Sequence, residues 1–256
     1  MSLNVTDTVK STFGSLKTET GMKVLGLMFA VQLVNMAASM MLEMGAMASV
    51  AGGVLTFAAA IAGIVITVGA LRSFDTETIS REQYTENLLW PVIRLTGANV
   101  VTTILAYGIA VVALLPAVLA AVALGAGTSV GTGALAGAGL PVALLGVAGF
   151  IAGIAAFLYI FLTLVVSMPM VAADDRRMFE ALDKSIQRTK GSKFSMFLSI
   201  LPIGVVYLIG VGIIIALAPS PGGSLSAPFA VAASVVSSLV AVLMYSLLNQ
   251  YHQRLP

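Results

Sequence analysis

The chain is poor in the residues that catalysis and disulfide bonding need. It has no cysteine and one histidine in 256 residues, and only 9% of its residues are charged. Without cysteine, a disulfide, a thiolate nucleophile and a thiolate metal site are all excluded. Ordinary soluble domains carry roughly 25% charged residues, and a soluble protein with so little charge would expose large apolar patches. The composition therefore indicates a membrane protein.

What the chain has instead is long apolar runs, since 59% of its residues are hydrophobic. A spanning helix needs about 20 mostly apolar residues, and six segments meet that requirement. They are Met22–Leu42, Ala46–Leu71, Ala98–Leu124, Val142–Val171, Phe194–Ala218 and Phe229–Leu248. A cleaved signal peptide ending near Ala46-Met47-Ala48 is the competing interpretation of the first run. That run is too long for the apolar region of a signal peptide, and a second spanning run follows at once.

The 13 basic residues fall into four regions that six spans would place on one side of the membrane. The other three connections, near Glu43, 125–141 and 219–228, have no basic residue. Basic residues favour the cytoplasmic side, so the pattern predicts a cell-membrane protein with both termini in the cytoplasm. The basic residues are Lys10, Lys17 and Lys23; Arg72, Arg81 and Arg94; Arg176, Arg177, Lys184, Arg188, Lys190 and Lys193; and Arg254.

Each odd-numbered span is preceded by a short segment with apolar residues at helical spacing and a glycine at its end. Such a segment suits the membrane interface, and glycine permits the chain to turn from the interface into the membrane. The apolar positions are Val5, Val9, Phe13 and Leu16 before Gly21; Leu89, Trp90 and Ile93 before Gly97; and Met178, Leu182 and Ile186 before Gly191.

These segments predict an all-α integral membrane protein with six spans in three hairpins, each hairpin preceded by a cytoplasmic interfacial helix. We interpret residues 1–256 as a single membrane domain, with repeat units at 1–72, 73–140 and 173–250. The alternative is that the three segments are ordinary cytoplasmic linkers with chance periodicity.

A motif around the fifth span resembles a known family. It consists of Ala181-Leu182, Ser185, Thr189-Lys190-Gly191, Phe194 and Phe197. This stretch resembles the multi-pass membrane domain of bacterial glycerophosphodiester phosphodiesterases and the stand-alone YciC-like membrane proteins, whose function is unknown. The resemblance implies a six-helix membrane domain without chemistry of its own. The catalytic domain of the phosphodiesterases has no counterpart here, so no catalytic residue is carried over.

Few side chains are candidates for chemistry. His252, the single histidine, lies near the chain end and is interpreted as a solvated residue. Asp174 and Asp175 are adjacent carboxylates of the kind that hold Mg²⁺ with a phosphate. Consecutive helical residues point about 100° apart, however, and Arg176 and Arg177 follow directly, which favours a cap or an ion-pair cluster. We therefore expect no catalytic residue, metal or cofactor, and no enzyme activity.

No span carries an ionisable residue in its central portion, which argues against ion-coupled transport. Gln32 and Asn35 are three apart in the first span and share a face, so they are the candidate polar site within the membrane. Hydrogen bonding between helices is the simpler role for such residues.

Two function hypotheses follow from these observations. The first is a non-enzymatic membrane protein that binds lipid or a protein partner in an accessory, organising or lipid-handling role. Its candidate contacts with lipid headgroups, anionic ones above all, are Lys184, Arg188, Lys190 and Lys193. A membrane-protein partner or a homo-oligomer is also compatible, whereas nucleic acid is not expected. The second hypothesis is an uncoupled or weakly coupled permease for a neutral or amphiphilic small molecule.

Overall fold

The computed structural model describes residues 3–42, 46–76, 84–85, 87–126, 135–216 and 227–255. Within these residues the secondary structure is helical. The helices are α1 (Val5–Ser15), α2 (Glu19–Leu42), α3 (Ala46–Thr76), α4 (Leu89–Ala126), α5 (Leu135–Leu164), α6 (Ser167–Ala172), α7 (Met178–Arg188), α8 (Lys193–Ala216) and α9 (Ala227–Arg254).

Six of the described helices, namely α2, α3, α4, α5, α8 and α9, are long and apolar enough to cross a membrane. This confirms the predicted all-α class and the six spans. Most of these helices extend beyond the predicted spans; α4 starts at Leu89 rather than at Ala98, and α9 ends at Arg254 rather than at Leu248. The predicted fourth span, Val142–Val171, is divided, since α5 starts earlier, at Leu135, and ends at Leu164, and residues 167–171 of the span belong to α6. Glu43, residues 127–134 of the connection at 125–141 and residues 219–226 of the connection at 219–228 lie outside the described residues.

One compact unit consists of residues 1–98 and 166–256. Its apolar core lies where α2, α3 and α9 meet, and includes Val24, Phe74 and Val242. Two side-chain hydrogen bonds join distant parts of this core. The hydroxyls of Thr67 and Tyr245 lie 2.9 Å apart, and the amide of Asn249 donates to the Phe74 carbonyl at 2.8 Å. Both bonds join α9 to α3. They stabilise this packing, because burial of a polar group is unfavourable in free energy unless the group is hydrogen-bonded.

The second compact unit consists of residues 99–165, and its described residues up to Leu164 belong to α4 and α5. Aromatic side chains of α4 and α5 pack against one another in this unit. The ring centroids of Tyr107 and Phe157 are 5.3 Å apart, and those of Phe157 and Phe161 are 6.0 Å apart. Such spacings are typical of stabilising ring pairs.

The turn predicted at Gly191 is confirmed. Gly191 has φ +85°, a left-handed conformation that glycine adopts without steric cost. It ends the short stretch after α7, and α8 begins two residues later at Lys193. The amphipathic segment predicted before Gly191 corresponds to α7, Met178–Arg188.

The turns predicted at Gly97 and Gly21 are wrong. The helix α4 runs unbroken through Gly97, and a Cβ atom there would lie 2.6 Å from Sδ of Met178. Gly21 lies inside α2, and the chain turns earlier, over residues 16–18. A Cβ atom at Gly21 would overlap the carbonyl oxygen of Ser15. Both glycines therefore permit close packing rather than a change of direction, so the segment before the third span is not a separate helix.

Candidate functional site

The helix α7 has a buried face and an exposed face. Ala181, Leu182 and Ser185 are buried, and the hydroxyl of Thr189 donates to the Ser185 carbonyl at 2.8 Å. These residues belong to the family motif, and the structure shows that they pack inward. Of the predicted apolar stripe, Leu182 is buried whereas Ile186 is 48% exposed.

Phe179 and Phe194 are large apolar side chains that the sequence analysis did not assign to the interfacial segment. Both are 72% exposed. Phe179 is seven residues before Ile186, so the two lie on the same side of α7. The exposed position of Phe179 beside Ile186 could have been predicted from the sequence, since these two residues are at helical spacing. The exposed face of α7 is therefore apolar in part.

The four predicted headgroup residues lie close together in the chain but have different surroundings. Nζ of Lys184 lies 3.7 Å from Oε1 of Glu180. Nη1 of Arg188 donates to the carbonyl of His252 at 3.3 Å, which ties α7 to the end of α9. Lys190 is exposed and Lys193 is half-buried. Lys184 and Arg188 are also half-buried, so Lys190 is the most exposed of the four.

The paired carboxylates between α6 and α7 take part in ion pairs, which confirms the predicted cluster. Asp175 adopts φ +51°, and Nη1 of Arg94 donates to both its carbonyl and its carboxylate at 2.8 Å. Arg176 pairs with Asp174 at 3.1 Å and with Glu180 at 2.8 Å. These hydrogen bonds, the one to Asp174 above all, raise the pKa of Arg176 above its ordinary value.

The prediction that His252 is a solvated tail residue is wrong. His252 belongs to the last turn of α9, and its side chain is only 10% exposed. Its Nε2 lies 3.2 Å from Oδ1 of Asp174, so the histidine joins α9 to the α6–α7 connection. The position of His252 near the chain end suggested that its side chain is exposed, because Asp174, its partner in the fold, is 78 residues away in the sequence. Within the described residues, no three His, Asp or Glu side chains converge as metal ligands would.

A polar cleft of about 450 Å³ lies in the unit formed by residues 1–98 and 166–256, near the N-terminal end of α2 and the C-terminal end of α9. It is bounded by α1, the first turn of α2, the end of α3 and the last turns of α9. Arg254 contributes the positive charge and donates to the Ser11 hydroxyl at 2.9 Å. The described lining residues are Ser11, Gly14, Ser15, Thr18, Thr20, Phe74, Ser246, Asn249, Gln250, Gln253 and Arg254.

An apolar groove of about 310 Å³ runs between α2 and α9. Its described lining residues are Met22, Leu25, Gly26, Phe29, Val235, Ser238 and Leu239. The candidate polar pair of the first span is elsewhere on α2, with Gln32 half-buried and Asn35 exposed. Neither residue is among those that line the groove or the polar cleft.

The polar cleft was not predicted from the sequence, because most of its walls come from the two ends of the chain. A usable signal was present on α9, where Ser246, Asn249, Gln250 and Gln253 recur at spacings of three and four residues. Such spacing places polar groups on one side of a helix. At the end of a span, the same pattern also fits a solvated helix terminus, so it did not by itself predict a cleft.

Comparison with known families gives one match, to a family model described as the membrane domain of glycerophosphoryl diester phosphodiesterase. The match covers residues 142–251. It therefore includes most of α5, all of α6, α7 and α8, and most of α9. The resemblance predicted from the motif at 181–197 is confirmed over this part of the chain. No curated protein and no solved structure gives a significant match.

Proposed function

We propose that this protein is a non-catalytic multi-pass membrane component that binds anionic phospholipid at its cytoplasmic face. The observation that carries the proposal is the combination found on α7 and at the start of α8. The exposed apolar side chains are Phe179, Ile186 and Phe194. They occur among exposed basic side chains near the N-terminal end of α8, a helix able to span the membrane.

The physical argument combines burial with charge. Burial of a side chain such as Phe179 in the acyl boundary is favourable by roughly 1.5–3 kcal/mol. Each basic residue near an anionic surface adds on the order of 1 kcal/mol. Residues 176–193 contain six basic and two acidic side chains, so the segment attracts phosphate on balance even though Glu180 lies near Lys184.

The match to a membrane domain supports the interpretation of the chain as a membrane component. In the other form of the hypothesis, a protein partner rather than a lipid binds the same exposed face of α7. The permease alternative receives less support, because Gln32 and Asn35 line neither of the two cavities described above.

Native mass spectrometry of the protein in mixed phosphatidylglycerol and phosphatidylcholine tests the proposal. The double variant Lys184→Gln, Lys190→Gln should retain roughly tenfold less phosphatidylglycerol than the wild type, and this difference should shrink at high salt. The matched control is Lys10→Gln, Lys17→Gln, which removes the same charge from two exposed positions in and just after α1. Equal retention by the two double variants would overturn the assignment of lipid binding to α7.

A further inference from the structure

The polar cleft has a positively charged donor and no negative charge among the described residues that line it. The guanidinium of Arg254 has five N–H groups. Two of its nitrogens contact hydroxyl oxygens, those of Ser11 at 2.9 Å and Thr8 at 3.5 Å. No carboxylate in the described part of the chain pairs with Arg254, so its charge is suited to a phosphate group.

The same cleft also presents hydrogen-bond acceptors. The hydroxyls of Ser15 and Thr18 each donate to a main-chain carbonyl at 2.6 Å. Oγ1 of Thr18 also accepts from the Gly21 N–H at 3.1 Å, so Ser15 keeps the larger capacity to accept. Asn249 is 2% exposed, and its Oδ1 has no hydrogen-bond partner among the described residues. A buried acceptor without a partner is unfavourable. The cleft therefore favours a ligand that carries an N–H or O–H donor beside its phosphate.

The apolar groove lies between α2 and α9, and both helices also contribute lining residues to the polar cleft. We call the strip between α2 and α9 that holds the groove and ends at the cleft the seam. On α9, Val235 and Leu239 of the groove and Ser246 of the cleft recur at helical spacing, which places them on one side of the helix. Leu239 and Ser246 are two turns apart, or about 10 Å along the axis. The glycerol backbone and the first carbons of an acyl chain bridge such a distance. The groove belongs to the spanning parts of α2 and α9, and the cleft lies at their ends.

We propose that this seam binds one phospholipid molecule, with its headgroup in the polar cleft and one acyl chain in the apolar groove. The headgroup is phosphoethanolamine or phosphoglycerol, because each combines a phosphate with a hydrogen-bond donor. Phosphocholine has the phosphate but no N–H or O–H group. This inference rests on the lipid binding proposed above in its broad sense, but it concerns a site to which α7 contributes no described lining residue.

Gly26 provides a direct test of the groove. A Cβ atom at Gly26 would meet no atom within 4 Å, so the first carbon of a larger side chain fits there without displacing protein. Gly26→Leu should lower the retention of phosphatidylethanolamine roughly tenfold in native mass spectrometry. Gly212→Leu is the matched control, since Gly212 of α8 is exposed and also has no atom within 4 Å of a Cβ. The same loss in both variants, or in neither, would overturn the groove assignment.

Comparison of two lipids without net charge tests the headgroup assignment. The wild type should retain phosphatidylethanolamine about fivefold better than phosphatidylcholine. Ser15→Ala should reduce this preference, and Arg254→Gln should lower the retention of both lipids. An unspecific loss of folding would not change the ratio of the two lipids. Absence of the preference in the wild type would overturn the inference.

The two proposals fail separately. Attraction of α7 to anionic lipid depends on the net charge of the lipid. Phosphatidylethanolamine and phosphatidylcholine have the same net charge. The variant Lys184→Gln, Lys190→Gln should therefore keep the wild-type preference between these two lipids. Loss of that preference in this variant would contradict the separate seam site, whereas an unchanged phosphatidylglycerol retention would contradict the role of α7.

Discussion

Gly21, in the first turn of α2, packs directly on the main chain of Ser15 at the end of α1. Any side chain at position 21 would overlap the Ser15 carbonyl oxygen, which is backbone and cannot move aside as a flexible side chain can. This contact sets how closely α1 folds back on α2. It thereby positions Ser11 and Ser15 in the wall of the polar cleft.

Gly21→Ala should destabilise the protein by about 1–3 kcal/mol, because the added methyl group forces the two helices apart. The measurement is thermal unfolding in detergent. Gly14→Ala is the matched control in α1, since a Cβ at Gly14 meets no atom within 4 Å. Alanine also favours a helix over glycine by up to about 1 kcal/mol, so Gly14→Ala should be neutral or stabilising. Equal stability of the two variants would contradict the close contact.

Tyr251→Phe should lower the free energy of unfolding by about 1 kcal/mol. Tyr251 is fully buried, and its hydroxyl donates to the Met196 carbonyl at 2.8 Å and lies 2.6 Å from Oγ of Ser199. This network joins α9 to α8. The control is Tyr207→Phe in α8, where the side chain is 45% exposed. The network account fails if both substitutions have the same effect.

Asp175→Asn should have a small effect, below about 1 kcal/mol, because asparagine also tolerates the left-handed conformation. It removes the charge that pairs with Arg94, and an ion pair with one exposed partner contributes little. A double-mutant cycle with Arg94→Gln, read by thermal unfolding, should give a coupling of about 0.2–1 kcal/mol. A coupling near zero would show that the main-chain carbonyl of Asp175 is the partner that matters for Arg94.

All 13 basic residues should face the cytoplasm. Because the chain has no cysteine, single cysteines can be introduced without removing others. Those at Thr128 and Ser224, which lie outside the described residues, should react with an impermeant maleimide in intact cells. One at Lys184 should react only after the cells are opened. Labelling of the Lys184 position from outside would contradict the topology.

Composition and apolar runs were sufficient to predict the helical class and the six spans, because the bilayer requires about 20 apolar residues whatever the packing. Glycine roles were predicted less well. A turn at Gly191 and close packing at Gly21 and Gly97 look alike in the sequence, since each glycine follows an amphipathic segment. Only the position of a neighbour, such as Met178 beside Gly97, separates the two roles.

The candidate sites show the same division. The basic residues of α7 are visible in the sequence as a charge cluster, and their contact with lipid headgroups stays a prediction. The polar cleft was not, because it joins Ser11 to Arg254 across 243 positions. His252 was wrongly assigned to solvent for the same reason, since its cover comes from Asp174. Local pattern predicts which face of a helix is polar, but it does not predict what that face contacts.

The most direct measurement of the central claim is fluorescence quenching at α7 by brominated lipid. Trp90 is the single tryptophan of the chain, so the double variant Trp90→Phe, Phe179→Trp reports only from the exposed face of α7. In nanodiscs of mixed composition, brominated phosphatidylglycerol should quench the introduced indole more strongly than brominated phosphatidylcholine at low salt, and high salt should remove the difference. Anionic-lipid binding by α7 would be contradicted if neither lipid quenched the introduced indole, or if both lipids quenched it equally at low salt.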